Sequence, residues 1–128
     1  MIEPIYYLMF AEEMLNTNKS DELEEVRLRT AINRAYYGVY HYVQRGYCDF
    51  MSLNEIEIIS HSAFIKKLRD DRNSAIQRLG NQLYALKNDR VKADYHINAN
   101  IEKTIAHKSY ALAQKIKKTA DFIFYNVS

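Results

Sequence analysis

Two arginine–histidine pairs are the residues of this sequence whose types could carry out a reaction. Arg34 and His41 are seven residues apart, which is two helical turns, so both side chains would lie on one face of a helix. Arg90 and His96 are six residues apart, which is not a same-face spacing. This second pair meets only if the helix bends or ends near Tyr95, or if the two residues act across a dimer.

An arginine and a histidine suit the cleavage of RNA without a metal ion. In that reaction the 2′-hydroxyl attacks the adjacent phosphate, and a histidine takes or gives the proton near neutral pH. The fork of an arginine stabilises the charge on the phosphorane oxygens. The spacing alone does not decide the matter, because a chain with eight arginines and four histidines contains such spacings by chance.

Other kinds of reactive site are not indicated, and no metal or cofactor is expected. The histidines are His41, His61, His96 and His107. No two of them have the i, i+4 spacing of a helical metal pair. The single cysteine, Cys48, leaves no structural zinc site and is expected to be a buried or incidental thiol. The sequence contains neither a glycine-rich phosphate loop nor a nucleophile elbow.

The formal charge of +2 is unevenly distributed along the chain. Residues 1–26 hold seven acids and one base, whereas residues 64–92 hold eight bases and three acids. The simplest interpretation is that these charges solvate helix faces. The alternative is that the basic part attracts phosphate.

The composition predicts a helical protein. The 128 residues include 3 Gly and 1 Pro, too few for the many turns of an all-β fold. Tyrosine is unusually frequent, at 11 residues. The run at positions 36, 37 and 40 covers too many helix faces for a base-stacking platform, so we expect core packing.

Apolar residues that recur at intervals of three and four divide the chain into helices. The predicted helices cover residues 3–16, 21–47, 62–71, 74–95 and 99–125. They form a single all-α domain over residues 1–128, an antiparallel bundle of four to five helices.

The predicted helix ends depend on a few residues. Asp21 is expected to cap the second helix, with Glu24 three residues further on, and Gly46 lies near its expected stop. Residues 48–61 are ambiguous, and a loop with a helical turn at 52–55 is favoured over an extended piece. His61 and His107 are expected at the surface or in helix caps.

The residues around the two pairs resemble a known family. The segments are Arg34-Ala-Tyr-Tyr-Gly-Val-Tyr-His41 and Leu86-Lys-Asn-Asp-Arg90-Val-Lys-Ala-Asp-Tyr95. Together they resemble the HEPN superfamily, in particular its small stand-alone members. The resemblance covers about residues 5–125 and implies a HEPN-like helical bundle.

The resemblance also implies a function and partners. Many HEPN domains are metal-independent endoribonucleases of toxin–antitoxin or phage-defence systems, with an arginine and a histidine at a dimer interface. This implies RNA as the substrate, a homodimer, and Arg90 and His96 as the catalytic residues, with Asp94 and Tyr95 beside them. In some of these systems a nucleotidyltransferase antitoxin modifies a tyrosine, which would be Tyr95 here. The alternative is a non-catalytic HEPN module that binds a nucleotide or such a partner.

Structural roles compete with these chemical ones. Arg34 and His41 are expected to support the bundle or line its dimer face. Arg90 and Asp94 have the spacing of an i, i+4 ion pair. A purely structural helical adaptor predicts that Arg90 and His96 lie apart and exposed.

The sequence also predicts where the protein is found. It has a single cysteine and no cationic-then-apolar signal segment at its N-terminus. No apolar run approaches the length of a membrane span. We therefore expect a cytoplasmic protein with no membrane contact.

Overall fold

The fold is an all-α helical bundle, as predicted. The computed structural model describes residues 2–17, 19–52 and 60–125, and all regular structure within these ranges is helical. The helices are α1 (Pro4–Leu15), α2 (Glu24–Phe50), α3 (His61–Arg69), α4 (Ser74–Tyr95) and α5 (Lys103–Phe124). In the described part of the chain, no helix has the length and apolar content needed to cross a membrane.

The long helix α2 forms the centre of the bundle, because it packs against α1, α4 and α5. Its predicted apolar stripe is buried at Leu28, Ile32, Ala35 and Val39. The stripe of α4 is buried at Ile76, Leu79, Leu83 and Leu86. The remaining helix, α3, packs on α4. Spacings of three and four residues therefore predicted the core faces of the two helices correctly.

The start of α2 differs from the prediction, because Asp21 does not cap the helix. The Asp21 carboxylate accepts hydrogen bonds from the Leu23 N–H at 3.0 Å and the Arg27 guanidinium at 2.8 Å. These bonds close a turn before the helix, which then begins at Glu24.

The end of α2 also differs, because the helix continues through Gly46 to Phe50. A Cβ atom on Gly46 would lie 2.9 Å from the Tyr125 ring and 3.0 Å from the Phe124 ring. The glycine therefore permits close approach of the end of α5 and does not stop the helix. Of the predicted helical turn at 52–55, all but Ser52 lies outside the described residues.

The shorter connections have local causes. Helix α3 begins at His61 behind Ser60, whose hydroxyl oxygen accepts the Ala63 N–H at 3.1 Å as an N-cap. Helix α4 has the predicted bounds, and the break predicted at residues 96–98 is confirmed. Helix α5 begins at Lys103 instead of Ala99, because Arg29 of α2 holds the segment after α4 through the backbone carbonyls of His96 and Ala99.

Candidate functional site

A cluster of aromatic and charged side chains lies where α2 packs against the last turns of α4. At its centre is Arg90, whose side chain is 11% exposed. The Arg90 guanidinium carbon lies 5.3 Å from the ring centroid of Tyr36, 5.6 Å from that of Tyr37 and 5.9 Å from that of Tyr95. These are cation–π distances, so three aromatic rings hold the arginine in place.

One carboxylate completes the fixation of Arg90. Nη1 of Arg90 lies 3.3 Å from Oδ2 of Asp94, which forms the i, i+4 ion pair that the spacing predicts. The Asn33 side-chain amide donates to the same oxygen at 2.9 Å. Nε of Arg90 is buried and has no hydrogen-bond partner within the described residues. The guanidinium is therefore fixed without all its donors being used.

The ring of His61 belongs to this cluster as well. Although His61 is the first residue of α3, its ring packs on that of Tyr40 with the centroids 3.6 Å apart and the planes 5° apart. The Tyr36 hydroxyl lies 2.8 Å from Nδ1 of His61. The sequence placed His61 at the surface or in a cap, because a lone histidine 25 residues from its partner carries no local signal.

Burial sets the protonation states of Tyr36 and His61. Burial, reinforced by nearby positive charge, lowers the pKa of His61 to about 4, so the ring is neutral at pH 7. Burial also raises the pKa of Tyr36, so its hydroxyl stays protonated. We infer that the hydroxyl donates to Nδ1, which leaves the ring proton on Nε2.

The first predicted pair, Arg34 and His41, lies on the part of α2 that faces α1. The guanidinium carbon of Arg34 is 5.8 Å from the ring centroid of Tyr7. The His41 ring stacks on Tyr37 with a centroid distance of 6.3 Å. Partial desolvation, together with the Arg45 cation, lowers the pKa of His41. Within the described residues no hydrogen bond or ring contact joins Arg34 to His41, so each is engaged with an aromatic neighbour instead.

The second predicted pair is not in contact within one chain. Helix α4 ends at Tyr95, and His96 follows as an exposed C-cap residue. Among the described contacts, no hydrogen bond or ring contact joins the side chains of His96 and Arg90. The end of the helix therefore does not bring the two side chains together, and their contact across a dimer stays a prediction.

Arg29, which no sequence pattern singled out, fixes the position of His96. Its guanidinium donates to the backbone carbonyls of Ala93 at 2.9 Å, His96 at 3.1 Å and Ile97 at 3.3 Å, and to that of Ala99. One side chain of α2 thus satisfies the open carbonyls at the end of α4 and ties down the segment before α5. These acceptors lie 64 to 70 residues further along the chain, so no sequence spacing points to them.

The site contains no grouping that would hold a metal. Within residues 2–17, 19–52 and 60–125, no three histidine, cysteine or acidic side chains come together as possible ligands. The Cys48 side chain is buried, as expected. Comparison of the chain with models of protein families, with curated proteins and with solved structures gave no match.

Proposed function

We propose that this chain is a HEPN-type, metal-independent endoribonuclease that acts as a toxin or defence effector. Arg90 binds the phosphate at the cleaved bond, and His96 transfers the proton. The observation that carries the proposal is the fixation of Arg90 by Asp94 and three aromatic rings, six residues before an exposed histidine at the end of the same helix.

The chemistry needs only these two groups. One histidine removes the proton from the 2′-hydroxyl as its oxygen bonds to phosphorus, and an acid donates a proton to the leaving 5′-oxygen as the P–O5′ bond breaks. In each site the same His96 can act as both, first accepting the proton of the 2′-hydroxyl and then returning it to the leaving 5′-oxygen. Arg90 stabilises the charge on the phosphorane oxygens with a planar fork that lysine lacks. The products are a 2′,3′-cyclic phosphate and a 5′-hydroxyl.

A homodimer is part of this proposal, and the end of α4 supports it. Tyr95 is 69% exposed and Ile97 is 82% exposed, so the residues on both sides of His96 present large apolar side chains to solvent. Such surfaces are typical of protein interfaces. A two-fold axis near this end would bring two copies of Arg90 and His96 to one cleft.

RNA cleavage in EDTA tests the proposal. The wild-type protein should cleave a labelled RNA with EDTA present and leave a 2′,3′-cyclic phosphate. We expect His96→Ala and Arg90→Ala each to lower the rate by at least about 100-fold, the usual contribution of acid–base catalysis for the histidine and of charge stabilisation for the arginine. His107→Ala and Arg78→Ala, at exposed positions on α5 and α4, are the matched controls. Cleavage that persists in both site variants would exclude these residues as catalytic.

A second candidate is a non-catalytic HEPN module that binds a nucleotide or a nucleotidyltransferase. Two observations favour it: Asp94 already occupies Nη1 of Arg90, and the Tyr95 side chain is accessible to a modifying enzyme. This candidate predicts no RNA cleavage. It also predicts that coexpression with a nucleotidyltransferase encoded by an adjacent gene adds a nucleotide to the wild-type protein but not to Tyr95→Phe, as measured by intact mass.

A further inference from the structure

A second polar surface lies outside the cluster around Arg90, here called the Arg90 cluster, which consists of Arg90, Asp94, His61, Asn33 and the tyrosines 36, 37, 40 and 95. It is a groove of about 510 Å³ between α3 and α4, and its lining shares no residue with the cluster. Its cations are Lys66, Arg69 and Lys87, and its acid is Asp70. Apart from Ser62, its lining lies within the basic segment 64–92, for which the sequence left open an attraction for phosphate.

The positive charge of the groove is only partly neutralised. Asp70 pairs with Lys66 at 2.6 Å, which uses the carboxylate of the groove. Arg69 donates from Nε to the Asn81 side-chain oxygen at 2.9 Å, and Lys87 donates to the Ser62 hydroxyl. Both of these partners are neutral. Arg69 and Lys87 therefore hold two positive charges at one groove, each in a fixed position, and an anion is the ligand that fits.

An exposed aromatic ring lies beside these charges. Tyr84 is 43% exposed, and the guanidinium carbon of Arg69 lies 4.2 Å from its ring centroid. A planar cation stacked on an aromatic ring gives a flat surface on which a nucleobase can stack. Since every base has a flat face, such a surface binds single strands with little sequence preference. This feature favours RNA over an acidic peptide, which would need only the cations.

The two helices that form the groove are in close contact. A Cβ atom on Gly80 would lie 2.7 Å from the backbone nitrogen of Arg69 and 2.8 Å from Cβ of Leu68. Glycine therefore lets the end of α3 approach α4 closely. The Arg69 backbone is fixed against α4, so its side chain is positioned over Tyr84 before a ligand arrives, which lowers the entropic cost of binding.

We propose that the groove between α3 and α4 binds a single-stranded segment of RNA. Arg69 and Lys87 contact phosphates, and one base stacks on the Arg69–Tyr84 pair. The inference rests on the proposed function in taking RNA as the ligand, but it assigns binding to residues that take no part in cleavage. Lys87 precedes Arg90 by three residues on α4, about 4.5 Å along the helix, so a strand in the groove can continue to the Arg90 cluster.

The test measures RNA binding without cleavage. The probe is a fluorescein-labelled 2′-O-methyl oligouridylate of about twelve nucleotides, a length within the range of single-strand binding sites, which lacks the attacking hydroxyl. Its affinity for the wild-type protein is measured by fluorescence anisotropy at several salt concentrations. The groove variants are the double substitution Arg69→Gln with Lys87→Gln, and the single substitution Tyr84→Ala. The control is Lys115→Gln with Lys118→Gln, which removes two exposed charges from α5.

The two groove variants should differ in their dependence on salt. The double substitution should weaken binding about tenfold or more near 0.1 M salt. It should also reduce the slope of log affinity against log salt concentration by about 1.4 in magnitude, because each phosphate contact to a single strand contributes about 0.7 to that slope. Tyr84→Ala should weaken binding about fivefold or more through lost stacking, with the salt dependence unchanged. The control should bind like the wild type. Thermal unfolding midpoints near that of the wild type establish that the variants are folded.

Three results would overturn the inference. The first is groove variants that bind as tightly as the wild type, and the second is a wild-type protein that does not bind the probe at low salt. The third is a groove substitution that changes self-association in sedimentation velocity but not RNA affinity, which would make an acidic segment of a second copy the occupant. The proposed function fails on a different observation, namely absence of RNA cleavage by the wild type, so either can fail alone.

Discussion

At the scale of single residues, the Arg90 cluster joins a permanent cation to a histidine that stays neutral. Aromatic rings and one shared carboxylate hold Arg90. Its positive charge is therefore not cancelled by several acids, and the charge disfavours a proton on His61 nearby. The neutral ring of His61 then packs on Tyr40 and bonds to Tyr36.

The substitution His61→Gln tests this protonation state. The pKa of His61 is about 4 in the folded chain, against an ordinary value of 6.5. Between these values the unfolded chain binds more protons, so the free energy of unfolding falls as the pH drops below about 6.5. In urea unfolding, the midpoint of the wild type should exceed that of the variant most at pH 7 and by less at pH 5. An equal difference at the two pH values would refute the assignment.

At the scale of elements, a side chain of one helix supplies the hydrogen bonds at the end of another helix. The last carbonyls of a helix have no partner within it, and here the guanidinium of Arg29 on α2 supplies the donors for α4. The same contact holds the connection to α5, which explains why that helix begins late. The position of His96, and with it the candidate site, therefore depends on a residue of another helix.

Arg29→Met should loosen this connection. The variant keeps much of the side-chain stem but removes the donors, and hydrogen bonds from a charged donor are worth about 1.5–3 kcal/mol each. We expect the free energy of unfolding to fall by about 2–3 kcal/mol, with faster amide exchange at residues 96–101. Arg78→Met, at an exposed position of α4, should change stability by less than about 0.5 kcal/mol. Equal exchange in Arg29→Met and the wild type would contradict the role of Arg29.

Gly80→Ala tests the contact between α3 and α4. Alanine in a helix interior is favoured over glycine by about 1 kcal/mol, but the added methyl would meet the Arg69 backbone, and overpacking costs about 1–3 kcal/mol. We expect net destabilisation of about 1–2 kcal/mol in urea unfolding. Asn88→Ala, at an exposed position of the same helix, gains propensity without a clash and should not destabilise. A Gly80→Ala protein more stable than the wild type would show that the helices are not in tight contact.

At the scale of the whole molecule, the proposed site requires two chains. One chain holds Arg90 in place and exposes His96, without a hydrogen bond or ring contact between their side chains among the described residues. An isologous dimer would allow this, because a contact between Arg90 of one chain and His96 of the other is then made twice, once on each side of the two-fold axis.

Mixing two inactive variants tests this arrangement. In a heterodimer of Arg90→Ala and His96→Ala chains, one composite site contains both an intact arginine and an intact histidine, whereas the other contains neither. Because random pairing makes half the dimers mixed, the equilibrated mixture should recover about one quarter of the wild-type cleavage rate. The control is each variant mixed with itself. No recovery after proven subunit exchange would place the two residues of a site in one chain.

Local sequence patterns predict those features whose contacting residues lie a few positions apart along the chain. The bounds of α4 and the buried stripes of α2 and α4 follow from residues a few positions apart, so periodicity is enough. The same reasoning failed where a distant partner overrides a local signal. Gly46 resembles a helix stop, but its role is to admit the end of α5. Asp21 is a local exception: it resembles a cap, but Leu23 and Arg27, two and six residues further on, donate hydrogen bonds to its carboxylate instead.

The sequence by itself determined that the chain forms helices, which faces of α2 and α4 are buried, and that Arg90 pairs with Asp94. Only the tertiary structure decided that His61 joins the tyrosines of α2, that Arg29 closes the end of α4, and that the basic segment forms a groove. The hydrogen bond between Tyr36 and His61 joins residues 25 positions apart, and that between Arg29 and Ala99 joins residues 70 positions apart. Packing of the whole core selects such contacts, and no local pattern of residues encodes them.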